Sequence, residues 1–380
     1  LNDVNLPKFT QNDIPLYNGI TNDLFPGVVT PTPDYTTLME KMHNVCADLN
    51  LQPKTEFLKK CIELYETFMV RHGLMVVGGA FSGKSKVIKV LQDAFSSIQD
   101  DPNFVNVQTF FINPKSIQQT QLYGTLNADS GEWQDGVLAI KIRDCAESLT
   151  PDRKWLVFDG PVDAIWIENM NTVLDDNKKL CLNSGQIIKL KPTMTMMFEV
   201  EDLSQASPAT VSRCGMVLME PQQLGHQVLI TSYCNSLPKY HIEEKLQQSI
   251  LKKMTYVCDL SMEYTRINCK FPVPTGPNFL VHNFLHIFDT FIIEWGHEDS
   301  KGCPVNAEEI CMNAIVFAGI WGIGGQIEET TRPKFDKFFQ QLIGQEDVQE
   351  IYKIDIPKVT PLKIPNKIGG EVPTLFELSF

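Results

Sequence analysis

One stretch limits the folds open to this chain more than any other: Gly78-Gly79-Ala80-Phe81-Ser82-Gly83-Lys84-Ser85. The apolar run Leu74-Met75-Val76-Val77 precedes it, and Lys86-Val87-Ile88-Lys89-Val90-Leu91 follows with apolar residues at helical spacing. A strand, a glycine loop of this spacing and a helix form the setting in which a loop cradles phosphates. Glycines at 78 and 83 let successive backbone N–H groups turn inward, the ammonium of Lys84 suits the β- and γ-phosphates, and the Ser85 hydroxyl suits Mg²⁺. The helix N-terminus adds its positive dipole end at the same spot. The expected contact stretch is therefore Gly78, Gly79, Ala80, Phe81, Ser82, Gly83, Lys84, Ser85 and Lys86, with ATP or ADP and Mg²⁺ as ligands. A bare glycine turn with a surface lysine leaves the flanking strand and helix unexplained.

A chain of 380 residues, 43% hydrophobic and 21% charged, is globular and too long for one small core, so two or three compact units are expected. The net charge of -13 argues against a nucleic-acid surface, which needs a basic footprint. No 18 apolar residues run consecutively, so no membrane-spanning segment is expected. The start Leu1-Asn2-Asp3 reads as a segment of a longer polypeptide. The ten cysteines are scattered, without a C-x-x-C pair, and several sit in apolar contexts such as Cys181, Cys258 and Cys311. That pattern fits reduced, mostly buried thiols better than disulfides or zinc.

Residues 1–35 are rich in Pro, Asn and Asp, which favours an extended connector. Amphipathic helices are expected from Asp34 to Leu49 and from Thr55 to His72. After the glycine loop come a strand over Val105–Ile112, a turn-rich loop or hairpin over 119–136, and a helix from Val137. Leu180–Leu190 forms a hairpin turning at Asn183-Ser184-Gly185, and Met194–Val200 and Met216–Met219 complete the core strands. From 222 to about 345 the spacing turns helical: Gln223–Asn235, Ile242–Tyr264, Gly276–Trp295, Ala307–Ile323 and Pro333–Ile343. Phe284, Leu285, Phe288 and Phe291 read as core, and His282 and His286 as packing or surface residues. The stretch from 346 is Pro-interrupted and reads as an extended exit.

Trp155-Leu156-Val157-Phe158-Asp159 is an apolar strand ending in an acid 75 residues after Lys84. Such an Asp either holds Mg²⁺ through water or caps a turn; the alternating strand and helix pattern favours the former. The next residue is Gly160, where a water-polarising Glu often stands in such enzymes. Glycine has no carboxylate, and positioning a general base is typically worth about 10²- to 10⁴-fold in rate. Asp163 and Glu168 are the nearest substitutes, though both also read as surface or helix-start residues. Glu201 and Asp202, after the fourth strand, sit where a γ-phosphate sensor belongs or where a strand end is merely solvated. Arg213 closes a short helix before the last strand, either as a finger for a neighbour's phosphate or as a cap on its own helix. Arg266 and Arg332 carry no distinguishing signal.

The runs Trp155–Cys181 (WLVFDGPVDAIWIENMNTVLDDNKKLC), Ala206–Gly215 (ASPATVSRCG), Asp23–Val28 (DLFPGV) and the glycine loop closely resemble the second AAA+ module of dynein heavy chains, and LMVVGGAFSGKSKV resembles the axonemal inner-arm type. The resemblance implies a P-loop α/β subdomain with a parallel five-stranded sheet and helices on both faces over 36–221. It implies a small all-helical lid over 222–345, a connector over 1–35 and a linker to the next module over 346–380. It further implies a module that binds ATP and scarcely hydrolyses it, with Ser85 and Asp159 at the metal, Glu201 near the nucleotide, and Arg213 reaching the preceding module's ATP in trans. The implied partners are neighbouring modules of the same heavy chain, with microtubules and dynein intermediate and light chains through the parent chain. The implied location is the cytoplasm and the cytoskeleton of a ciliary or flagellar axoneme. An independent homo-oligomeric ring ATPase of the remodelling or chaperone class is the other reading. Phe81 departs from the small residue common at its position, but phosphate contacts there are made by the backbone.

Overall fold

The computed structural model describes residues 5–10, 12–27, 33–98, 101, 104–127, 129–296 and 302–344. It divides into two compact units, the first built from residues up to Leu49 and from Pro53 to Leu224, the second from Asn50–Gln52 and the chain from Gly225 onward.

In the first unit, helix α1 (Ile14–Leu24) and a 3₁₀ turn at Leu6–Lys8 occupy the region whose composition predicts an extended connector. Proline does not prevent this: Pro15 lies in the first turn of α1, where its missing N–H has no helical partner to lose. Helices α2 (Thr36–Asp48) and α3 (Thr55–Val70) lead into β1 (Gly73–Val77), the glycine loop and α4 (Lys84–Ser97). Strand β2 (Val107–Ile112) is followed by one helical turn, α5 (Gln119–Tyr123). The capping box of Gln118 and Gln121 fixes that turn. A small hairpin of β3 (Gly124–Leu126) and β4 (Trp133–Asp135), then α6 (Val137–Glu147), precede β5 (Arg153–Asp159). Short helices α7 (Ala164–Ile167) and α8 (Asn171–Leu174) follow, with the hairpin of β6 (Lys179–Cys181) and β7 (Ile187–Lys189). Next come β8 (Met194–Val200), α9 (Pro208–Arg213), β9 (Gly215–Leu218) and α10 (Pro221–Leu224).

The main sheet is parallel throughout, in the order β2-β5-β8-β1-β9. Parallel strands covered on both faces have no solvent side, so they read as continuous apolar runs. Every residue of β1 and β8 is buried. Side chains still alternate between faces. Met75, Leu156, Phe158, Met196 and Phe198 pack with Leu138, Ile142 and Trp166, and Phe158 stacks on Phe198 at 5.0 Å between ring centroids. On the opposite face Trp155 packs on Phe68 of α3 and Phe95 of α4 at 5.8 and 6.2 Å. Burying each such ring contributes about 1.5–3 kcal/mol.

The second unit is helical: α11 (Gln227–Asn235), α12 (Glu244–Asn268), α13 (Pro277–Ile292), α14 (Ala307–Ala318) and α15 (Arg332–Ile343). The helix predicted from Gln223 is broken, because Gly225 takes φ +69° between α10 and α11. The helix predicted to run to Ile323 leaves α geometry at Ala318 and continues as a π turn over Gly319–Ile323. Close packing accounts for the glycines there: a Cβ on Gly322 would lie 2.8 Å from the Phe284 Cα. The stretch Ala307–Gln326 is long and apolar enough to cross a membrane by length and composition, but 67% of it is buried, as in the core helix of a packed bundle. Phe284, Leu285 and Phe288 are core, whereas Phe291 is only partly buried. His282 and His286 lie side by side on the outer face of α13, Nε2 to Nε2 3.1 Å. Cys258 and Cys311 are buried; Cys181 is exposed, because alternation in a short antiparallel strand turns it outward. The exit from 346 lies outside the described residues.

Candidate nucleotide site

The glycine loop leaves the carboxyl end of β1, where a parallel sheet opens a crevice for ligands. Gly78 N–H donates to the Val200 carbonyl at 3.0 Å, tying the loop to β8. A Cβ at Gly78 would sit 2.1 Å from the Met219 carbonyl oxygen, so the backbone can pass here only as glycine. Gly78→Ala is expected to lower stability by about 1–3 kcal/mol, the usual cost of overpacking, which urea unfolding will show as a fall in midpoint. Gly83 takes φ +87° as the residue before α4, and Phe81 takes φ +59°, a left-handed conformation unusual for a bulky side chain. The loop's outer wall is apolar: positions around Gly83 and Gly79 meet Leu224, Phe57, Met219 and Pro221.

Lys84 Nζ donates to the carbonyls of Gly78 and Gly79 at 2.6 and 3.0 Å, which curls the ammonium back over the loop it would share with phosphate. Burial lowers its pKa, while the carboxylates of Glu199, Glu201 and Asp159 pull it up again. Ser85 Oγ donates to Glu199 Oε2 at 2.6 Å. Glu199 is 4% exposed, and its second oxygen, Oε1, has no hydrogen-bond partner among the described residues. Burial raises its carboxyl pKa; the Ser85 hydrogen bond opposes that, Asp159 adds to it and Lys84 opposes it.

Asp159 ends β5 with its side chain exposed, in register with Glu199. Gly160 follows with φ +159°, its N–H donating to the Glu199 carbonyl at 3.3 Å. Of the nearby acids, Asp163 is engaged on both oxygens, pairing with Lys115 through Oδ2 and accepting the Trp166 N–H through Oδ1 at 3.3 Å. Glu168 is exposed at the start of a 3₁₀ turn. Glu201 and Asp202 are exposed, and Asp202 accepts the Ser204 N–H at 2.8 Å in a local turn. Lys86 and Ala80 are likewise exposed.

Arg213 ends α9 well away from this loop. Its Nε pairs with Asp175 and an Nη donates to the Ala209 carbonyl at 2.7 Å. Cys214 packs beside Gly73 at the amino end of β1, while the glycine loop leaves the carboxyl end. Five residues of strand separate the two, roughly 16 Å at about 3.3 Å per residue.

The structure thus brings Gly78–Ser85, Asp159 and Glu199 together at the carboxyl end of the strands and leaves Arg213 at their amino end. Glu199 is the site residue that the strand pattern conceals. Its signal is the one carboxylate in a buried and mostly apolar strand, a residue type almost never fully buried without a partner. The oxygen donors present, Ser85, Asp159 and Glu199 with its unsatisfied Oε1, fit a hard divalent cation such as Mg²⁺.

Comparison with known proteins agrees with this geometry. Residues 73–214 match the AAA domain of the dynein-related subfamily, and residues 250–376 match the dynein heavy chain AAA lid domain. Residues 1–85 match the model described as the hydrolytic ATP binding site of the dynein motor region. That last match stops at Ser85, before Asp159 and Gly160. Dynein axonemal heavy chain 3 of Mus musculus is 43% identical over 355 residues, 91% of this chain and 9% of that protein. Dynein axonemal heavy chain 12 of Rattus norvegicus is 43% identical over 360 residues, 91% of this chain and 11% of that protein. Dynein axonemal heavy chain 1 of Homo sapiens is 40% identical over 362 residues, 93% of this chain and 8% of that protein. The chain therefore spans about a tenth of the length of these relatives. With an AAA domain of the dynein-related subfamily followed by a dynein heavy chain AAA lid, the chain is similar over most of its length to a segment of dynein axonemal heavy chains.

Proposed function

We propose that this segment is the second AAA+ module of an inner-arm-type heavy chain, that it holds MgATP without appreciable turnover, and that it serves hydrolysis in the module before it. The observation that carries the reading is Gly160. The position beside Asp159 has no carboxylate, and the two acids that follow it are tied to Lys115 and Trp166 or exposed on the surface. Lys84 and the loop N–H groups would hold the phosphates, and Ser85, Asp159 and Glu199 would hold Mg²⁺, whose charge would neutralise the phosphate oxygens. With no group to orient a water, the site keeps its nucleotide as a structural ligand. Microtubule movement belongs to the parent chain, to which this module contributes as one member of a ring.

Arg213 supports the second half of the proposal. Some 16 Å of strand keeps it from its own loop, so a phosphate it reaches lies on another module. The nucleotide that co-purifies with the chain tests the reading. After denaturation and chromatography the released species is expected to be ATP at close to one per chain; release of ADP alone, or of no nucleotide, counts against it.

A further inference from the structure

The Mg²⁺ carboxylate in P-loop sites is assigned by position to the acid that ends the strand of Asp159. Here the geometry points to Glu199 instead: we infer that Glu199, from the neighbouring strand, is the principal carboxylate that positions the Mg²⁺ ligand Ser85 and the metal's water shell. The inference rests on the nucleotide reading above and names the residue that makes its metal site work.

Strand order favours Glu199. Strand β8 lies directly beside β1, whereas β5 is one strand further out. Val76, Glu199 and Asp159 form one row across the sheet, in register and on one face. With adjacent strands about 4.8 Å apart, the backbone of Asp159 is roughly twice as far from β1 as that of Glu199. The residue closer to the loop is the one whose carboxylate meets Ser85.

The Ser85 hydroxyl singles out the same carboxylate. A serine that ligates a metal offers a lone pair to the cation and must still donate its proton to an acceptor. That acceptor is Glu199 Oε2 at 2.6 Å, which aims the remaining lone pairs of Ser85 away from the carboxylate. Asp159 is exposed and makes no such bond among the described residues. Oε1 is also buried, in a side chain only 4% exposed, and has no hydrogen-bond partner among the described residues. A buried carboxylate oxygen left unmatched is costly, and a water on a bound cation is the donor that satisfies it. Because Glu199 is committed to the serine and metal side of the site, it does not replace the water-polarising acid missing at Gly160. Tight metal binding and poor hydrolysis then follow from one arrangement.

The test is binding of a fluorescent ATP analogue to the full chain, titrated with Mg²⁺ and again with EDTA. Glu199→Gln keeps the shape and an acceptor oxygen but removes the charge. It is expected to erase about 10- to 100-fold of the Mg²⁺-dependent tightening, the usual cost of losing an outer-sphere carboxylate, and to leave the affinity in EDTA unweakened. Asp159→Asn is expected to cost less of the Mg²⁺ response than Glu199→Gln. A Mn²⁺ titration followed by electron paramagnetic resonance in the presence of ATP should rank the two variants in the same order. If Glu199→Gln keeps the full Mg²⁺ response while Asp159→Asn loses it, the inference is overturned and the nucleotide reading stands. If the unmodified chain binds the analogue in neither condition, the nucleotide reading falls and takes the inference with it.

Discussion

Lys84→Ala is expected to weaken ATP binding by roughly ten- to a hundredfold, the equivalent of about 1.5–3 kcal/mol for a hydrogen bond to a charged group. The ammonium now rests on two neutral carbonyls, at 2.6 and 3.0 Å. Phosphate oxygens are charged acceptors and make hydrogen bonds about twice as strong, so nucleotide draws Nζ off the loop and onto the phosphates. Removing the side chain loses that exchange while leaving the loop's backbone N–H groups in place, which is why affinity falls but does not vanish. Lys84→Arg is not a rescue, because a planar guanidinium cannot be packed as a point charge against the loop carbonyls. Isothermal titration with ATP and Mg²⁺ measures the effect; affinity unchanged in Lys84→Ala would mean that phosphate does not bind in this loop.

The other large effect lies in a neighbouring site. In the intact heavy chain, Arg213→Ala is expected to lower steady-state ATP turnover by about 10³- to 10⁵-fold at the module it serves, the span measured for arginines supplied across an interface. Arg213 is well prepared for such a role. Helix α9 is capped by Ser207, whose Oγ accepts the Thr210 N–H at 3.2 Å, and Thr210 Oγ1 donates to Asn171 Oδ1 at 3.0 Å. The guanidinium uses Nε on Asp175 and one Nη on Ala209, so its remaining N–H donors face outward from a side chain about one-third exposed. Arg213→Lys is expected to be nearly as poor as Arg213→Ala, since an ammonium cannot hold Asp175 and reach phosphate together. Turnover untouched in Arg213→Ala would reduce the residue to a cap on its own helix.

Much of the first unit is legible from residues alone because its strands are buried on both faces. Leu74–Val77, Trp155–Phe158 and Met196–Phe198 are continuous apolar runs, and a loop such as Gly78–Ser85 admits few neighbours. Where local and tertiary preferences part, the reading falters. Residues 14–24 look extended because Pro and Asn disfavour helix interiors, yet Pro15 falls in the first turn, where its cost disappears. The π turn at Gly319–Ile323 answers to Phe284 on another helix, which local periodicity cannot see. Glu199 is hidden for a related reason. A strand pattern rewards apolar residues and treats one acid as noise, whereas burial at 4% exposure turns that acid into the main anomaly of the strand. Glu201 and Asp202, just beyond the strand, are both exposed, and the Glu201 charge still bears on Lys84 and raises its pKa.

The central claim is that this site holds ATP and does not cut it, and single-turnover hydrolysis tests it most directly. The chain is loaded with γ-labelled ATP and Mg²⁺, free nucleotide is removed, and labelled phosphate is followed in time. Without a positioned base, a rate roughly 10²- to 10⁴-fold below a typical value of about 10 s⁻¹ is predicted, so about nine-tenths or more of the label should remain on ATP through the first second. Stoichiometric phosphate release at about 10 s⁻¹ would contradict the account, because it would require a catalytic acid that Gly160 does not provide.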